Sequence, residues 1–174
     1  MNALERYIRT VQDFPKPGIG FKDITTLLKE PQPFKMVIDE FVARFGKQGV
    51  QKVVGIEARG FIFGAPLALH LNAGFVPARK PKKLPAQTLR AEYQLEYGTD
   101  ALEMHVDAIS KGEKVVVIDD LLATGGTAAA ATQLVEQLGG QVAGIGFLIE
   151  LDFLNGRRKL EKYAVHSLIH VASE

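Results

Sequence analysis

The sequence contains no cysteine, which excludes disulfides, thiolate catalysis and cysteine-ligated metal centres together. No apolar run approaches the roughly 20 residues that a bilayer span requires, and the opening MNALERYIRT lacks the apolar core of a signal peptide. A cytoplasmic protein without membrane contact is expected. Net charge is also scarce: 21 Lys and Arg against 20 Asp and Glu leave +1, so nothing draws the whole surface to nucleic acid and any basic site must be local. Two nucleotide-binding signatures are missing, the glycine-rich loop ending in Gly-Lys-Ser or Gly-Lys-Thr and the spaced glycines of a dinucleotide fingerprint. His70, His105, His166 and His170 show no metal-ligand spacing, and no repeat or low-complexity tract interrupts the chain.

The 174 residues suit one domain, 1–174, long enough to bury a sheet between two layers of helices. Leu4, Tyr7, Ile8 and Val11 share a helical face, and DFPKPGIGF then breaks the pattern into a shaped loop. Phe34, Val37, Ile38, Phe41, Val42 and Phe45 predict a helix with one buried face, opened by Pro31 and Pro33. KVVGIE reads as a buried strand, RGFIFGAPLALHL as a helix whose start Pro66 obscures, and Gly74 to Ala78 as a second strand. From Arg79 to Thr99 the composition turns polar and cationic, which suggests a mobile excursion with some strand pairing. VVVIDD is a strand covered on both faces, Ala131, Leu134, Val135 and Leu138 mark a helix stopped by Gly139 and Gly140, and VAGIGFLIEL is a further strand. This order implies an α/β fold, a doubly wound and mainly parallel sheet with right-handed crossovers.

The informative stretch is VVVIDDLLATGGT, Val115 to Thr127, a buried strand ending in two acids and running through a small-residue turn into a helix. Ala123, Thr124, Gly125, Gly126 and Thr127 let backbone amides converge on a phosphate, the two threonines add hydroxyls, and the helix adds its N-terminal partial charge. Asp119 and Asp120 stand at the carboxyl end of a strand, where open α/β sheets present ligands, and can accept hydrogen bonds from ribose hydroxyls. The combination reads as a ribose 5-phosphate cradle. The competing reading makes the acids a helix cap and the glycines a turn.

VVVIDDLLATGGT resembles the 5-phosphoribosyl-1-pyrophosphate signature of the type I phosphoribosyltransferases, and its DDLLATGGT form is typical of their adenine-specific branch. FPKPGIGFKDIT, GIEARGFIFG, and RKPKKLP followed by LEYG resemble further segments of that branch in the same order. The resemblance covers about residues 13–150. It implies the type I phosphoribosyltransferase fold with a small N-terminal hood and a mobile loop, transfer of a 5-phosphoribosyl group to adenine with release of pyrophosphate, a homodimer, and Mg2+ carried mostly by the substrate's own oxygens.

Site roles follow from the resemblance. Arg59 belongs to a pyrophosphate loop that often holds a cis peptide, expected between Glu57 and Arg59; the alternative is a surface arginine bridging to Glu57. Arg79, Lys80 and Lys83 are assigned to the departing pyrophosphate, within a chain or across the dimer, with Lys82 an exposed bystander. Glu96 is the candidate acid/base residue, managing the purine proton; otherwise it is an exposed carboxylate. Phe21 would stack on adenine, backbone groups near Ile19 and Gly20 would read its edge, and Leu121 would form the opposite wall. Two rival readings remain, a 6-oxopurine transferase and a non-catalytic regulator that binds the sugar phosphate.

Overall fold

The computed structural model describes residues 3–94 and 98–173. Its centre is a five-stranded sheet of β3 (Lys52–Ile56), β4 (Gly74–Ala78), β7 (Lys114–Leu122), β8 (Gln141–Leu151) and β9 (Val165–Val171), in the order β4-β3-β7-β8-β9. Every pairing within it is parallel. Strand order reverses between β3 and β7, which makes their carboxyl ends the topological switch point of the sheet.

Both faces of the sheet are covered, as the unbroken apolar runs require. Along β7 the side chains alternate, so that Val115 and Val117 enter one core and Val116 and Ile118 the other. On the first face lies α4 (Gly126–Gln137) with Ala131, Leu134 and Val135 inward. On the second lie α2 (Pro31–Phe45), which buries Val37, Ile38, Phe41 and Phe45, and α3 (Arg59–His70), which buries Phe63 and Leu67. Proline at the start of α2 costs no hydrogen bond, since the first amides of a helix have no internal partner. Pro66 sits inside α3 and not at its start: the helix begins at Arg59, directly after the β3 turn. Among the described residues no helix is long and apolar enough to cross a membrane.

One expectation is corrected. The helix through Leu4 to Val11 is a single 3-10 turn, Glu5–Tyr7, followed by a strand, β1 (Arg9–Val11), that pairs antiparallel with β2 (Phe21–Asp23). The Arg9 guanidinium pairs with Asp23 across these strands, and this tertiary pairing overrides a spacing in which only Leu4 is fully buried. The pair holds the Asp23 carboxyl down at about 2, first through the Arg9 hydrogen bond and then through the Thr25 amide. The strand pairing expected between Arg79 and Thr99 is present: β5 (Thr88–Gln94) runs antiparallel to β6 (Thr99–His105) in continuous register. A four-residue helix, α1 (Thr25–Leu28), links β2 to α2.

Phe41 is fully buried, stacked beside Phe45 under the sheet. Phe41→Ala is expected to destabilise the fold by about 3 to 5 kcal/mol, read as a lower urea midpoint at unchanged slope.

Candidate active site

The site is built where β3 and β7 end. Asp119 and Asp120 are the sixth and seventh residues of β7, and their placement follows from the strand: the preceding valines fix the register against β3 and β8. Asp120 is buried, and the Arg59 guanidinium meets it at 2.7 Å from the start of α3. Asp120 also donates its backbone N–H to Asp119 Oδ1 at 2.9 Å. Asp119 is half-buried, and loss of hydration at its carboxyl, reinforced by the neighbouring Asp120 charge, raises its pKa well above the ordinary 3.8. Burial raises Asp120 too, while Arg59 pulls it back down.

After β7 the chain passes through Ala123 and Thr124 to Gly125, whose φ of +77° is the left-handed conformation that glycine adopts without strain. Gly126 and Thr127 then begin α4, so the unpaired amides of its first turn stand beside the strand end. Thr124 and Thr127 are half-buried at this edge. Gly60, second in α3, packs directly on β7: a Cβ there would lie 2.7 Å from the Ile118 carbonyl oxygen and 3.1 Å from Asp119 Oδ1. Only a glycine lets α3 approach close enough to bring Arg59 onto Asp120.

The peptide bond between Glu57 and Ala58 is cis, within the expected interval. Glu57 does not hold Arg59. It takes Arg79 instead, through Nη2 at 2.8 Å and Nε at 3.2 Å, and accepts the Lys80 amide at 2.9 Å. The Arg79 hydrogen bond is the main cause of a lowered Glu57 pKa. Arg79 also donates to the Lys83 carbonyl at 3.2 Å, which shapes the basic turn. Lys80 pairs with Asp100 and donates to Tyr93 Oη at 2.5 Å, so its ammonium ties β4 to the β5–β6 hairpin. Lys82 has φ of +66° and donates its backbone N–H to Glu103 Oε2. The basic run is thus divided: Arg79 and Lys80 are paired with carboxylates, while Lys82 and Lys83 are exposed. Glu96 lies outside the described residues.

Phe21 begins β2, with Phe14 edge-on at 5.2 Å and the Arg59 guanidinium over its ring at 5.2 Å. The loop before it is self-braced: Gly18 N–H donates to Asp13 Oδ1, Phe14 N–H to the Ile19 carbonyl, and Ile19 N–H to the Lys16 carbonyl. Ile19 therefore spends its backbone on loop shape, and Gly20 is the neighbouring backbone position. A cavity of about 410 Å3 opens between Gly18, Ile19 and Gly20 on one side and Leu151, Phe153 and Leu154 on the other. Leu121 is half-buried and packs toward the α2–α3 core.

Residues 25–171 match the phosphoribosyl transferase domain family. An adenine phosphoribosyltransferase of Koribacter versatilis is 58% identical over 169 residues, 97% of this chain and 93% of its own. The crystal structure of the adenine phosphoribosyltransferase of Thermoanaerobacter pseudethanolicus superposes with a TM-score of 0.94 at 54% identity, covering 97% of this chain and 98% of that one. The chain belongs to the adenine phosphoribosyltransferase family. A further family member, from Saccharomyces cerevisiae, was crystallised with adenine and an imino-altritol bisphosphate, and it superposes at 0.90 with 43% identity, covering 95% of this chain and 96% of that one.

Within this family fold, several groups near the site escaped the sequence reading. Asp100 and Tyr93, cross-strand partners under Lys80, and Glu150, held by Arg157 from the turn after β8, leave no spacing signal. His170 does lie among possible ligands, since donor atoms of Glu150, Asp152 and His170 fall within 4.8 Å of one another. Both Glu150 oxygens, however, are engaged by Arg157, and one also by Ser167.

Because the Asp119 pKa is higher folded than unfolded, its ionisation weakens the fold as pH rises from 3.8 toward the folded value. Asp119→Asn should therefore melt above the parent protein at pH 7, the gap closing as pH falls below 3.8. A lower melting temperature at pH 7 would show that the charge is stabilising.

Proposed function

We propose that the chain joins N9 of adenine to C1 of 5-phosphoribosyl-1-pyrophosphate, giving AMP and pyrophosphate. The observation that carries this reading is the convergence at the switch point of two strand-end carboxylates, a left-handed glycine turn opening a helix, and Arg59 across from them. Asp119 and Asp120 accept hydrogen bonds from the ribose hydroxyls, and the turn from Ala123 to Thr127 holds the 5-phosphate on backbone amides and threonine hydroxyls. Pyrophosphate draws Arg59 off Asp120, Arg79 and Lys80 each exchange a carboxylate partner for a phosphate oxygen, and the exposed Lys83 adds charge behind them. Phe21 stacks on the purine, Leu121 faces it as the other wall, and Gly20 with Ile19 meets its edge.

Bond making and breaking are simple to balance. The N9–C1 bond forms as the C1–oxygen bond to pyrophosphate breaks, and the electron pair leaves with the pyrophosphate. The N9 proton goes to Glu96 in this reading. Mg2+ fits the donor set, since Asp119 and Asp120 offer hard oxygens beside the sugar site while substrate oxygens and water complete the shell. When bound, the ion neutralises charge building on the leaving group. A homodimer and a cytoplasmic location complete the proposal.

The purified protein with activated sugar and Mg2+ should release pyrophosphate far faster with adenine than with hypoxanthine, guanine or xanthine. Preference for a 6-oxopurine would overturn the base assignment, and no turnover with any base would favour a regulator. Glu96→Gln should slow single-turnover AMP formation about a hundredfold, with smaller changes in substrate dissociation constants. A parental rate in the first turnover would remove Glu96 from proton transfer.

A further inference from the structure

The segment after β8 folds back under the phosphate turn. Leu151 leads into a 3-10 turn, Asp152–Leu154, then Asn155 at φ of +53° reverses the chain into a second 3-10 turn, Gly156–Leu160. Gly156 lands against the backbone of the turn that precedes α4. A Cβ on Gly156 would fall 2.9 Å from Gly125 N and closer still to the Ala123 carbonyl oxygen, while a Cβ on Gly125 would run into the Gly156 carbonyl. Backbone thus rests on backbone with no room for a methyl group on either side. Gly156 itself has no positive φ, so space alone demands a glycine there.

The next residue locks this contact. Arg157 forks onto Glu150 at the end of β8, with Nε to Oε1 at 3.0 Å and Nη2 to Oε2 at 2.5 Å, and its Nη1 donates to the Val165 carbonyl of β9 at 3.0 Å. Glu150 is buried and also accepts from Ser167 Oγ, and its pKa is held down by these hydrogen bonds against the cost of burial. Beyond it Leu160 is fully buried, and Lys162 and Tyr163 both bond Glu136 near the far end of α4. Arg157 is therefore fixed to two sheet strands, and the turn it carries is pressed onto the floor of the phosphate turn.

We propose that Gly156 and Arg157 are positioning residues for sugar-phosphate binding: they brace the Ala123–Gly125 backbone from below so that its amides hold one fixed arrangement toward a phosphate. Neither touches the substrate. The inference rests on the assignment of that turn to the 5-phosphate, and its effect falls first on the sugar-phosphate end of the reaction, because Gly156 packs on the Ala123–Gly125 backbone while Leu151, Phe153 and Leu154 earlier in the segment line the cavity beside Ile19 and Gly20.

The test compares Gly156→Ala and Arg157→Lys with the parent protein, measuring ribose 5-phosphate affinity by calorimetry, the Michaelis constants of both substrates, and the melting temperature. Gly156→Ala should weaken ribose 5-phosphate binding and raise the activated-sugar Michaelis constant tenfold or more, with the adenine constant within twofold. Arg157→Lys keeps the charge but loses the fork, so it should move the same two quantities about threefold and keep a melting temperature near the parent's. Should Gly156→Ala fail to fold, Arg157→Lys decides alone. Unchanged ribose 5-phosphate affinity in the folded variants would overturn the proposal, as would equal losses for sugar and adenine in step with melting temperature. Loss of ribose 5-phosphate affinity supports the brace even if the parent proves inactive on adenine, so the two readings fail separately.

Discussion

Two adjacent carboxylates at the end of a buried strand are the constraint around which the molecule is organised. Carboxylates resist leaving water, and two of them side by side resist it more. The fold holds them there with the Arg59–Asp120 ion pair and with backbone N–H groups, that of Asp120 donating to Asp119 and that of Leu121 to Asp120. That arrangement reduces the cost without cancelling it, as the raised pKa of both acids records. Stability is supplied elsewhere, by apolar layers on both faces of a parallel sheet.

Close backbone approach recurs around those acids. Gly60 lets α3 rest on the Ile118 carbonyl, Gly125 turns the chain into α4, and Gly156 lies beneath that turn. Each contact excludes a methyl group for a different reason: the first brings a guanidinium into range, the second requires a left-handed backbone, and the third stacks one turn upon another. Positions of this kind tolerate little drift, which suits a site that must hold several phosphate oxygens at once.

The parallel sheet, the two-sided burial of β7 and the strand-turn-helix cradle were legible because each is written as a local pattern. Apolar runs, helical spacing in α2 and α4, and small residues after Asp120 need only neighbours in sequence to be read. The amino terminus misled because Leu4, Tyr7 and Ile8 fit a helical face over too short a span, while the cross-strand partner of Arg9 lies fourteen residues on. The hairpin was half legible: Tyr93 and Met104 alternate with polar neighbours as strands do, yet the cationic run before them reads as solvent-facing until Glu57 and Asp100 are brought against Arg79 and Lys80. The stretch from Asp152 to Tyr163 carried no recognisable pattern, since its meaning lies in contacts with β9 and α4.

Under the proposed function, the pairing of Arg59 with Asp120, Arg79 with Glu57 and Lys80 with Asp100 would give the site a particular selectivity. Each of these three cations is already matched to a carboxylate, while Lys82 and Lys83 are exposed. An incoming phosphate must compete with a carboxylate for each cation, and a single phosphate gains little from one such exchange. A molecule that offers several oxyanions in one rigid geometry can make the exchanges together and keep the gain. Under that proposal, the paired cations would discriminate a polyphosphate from a lone phosphate by the number of exchanges each can make at once.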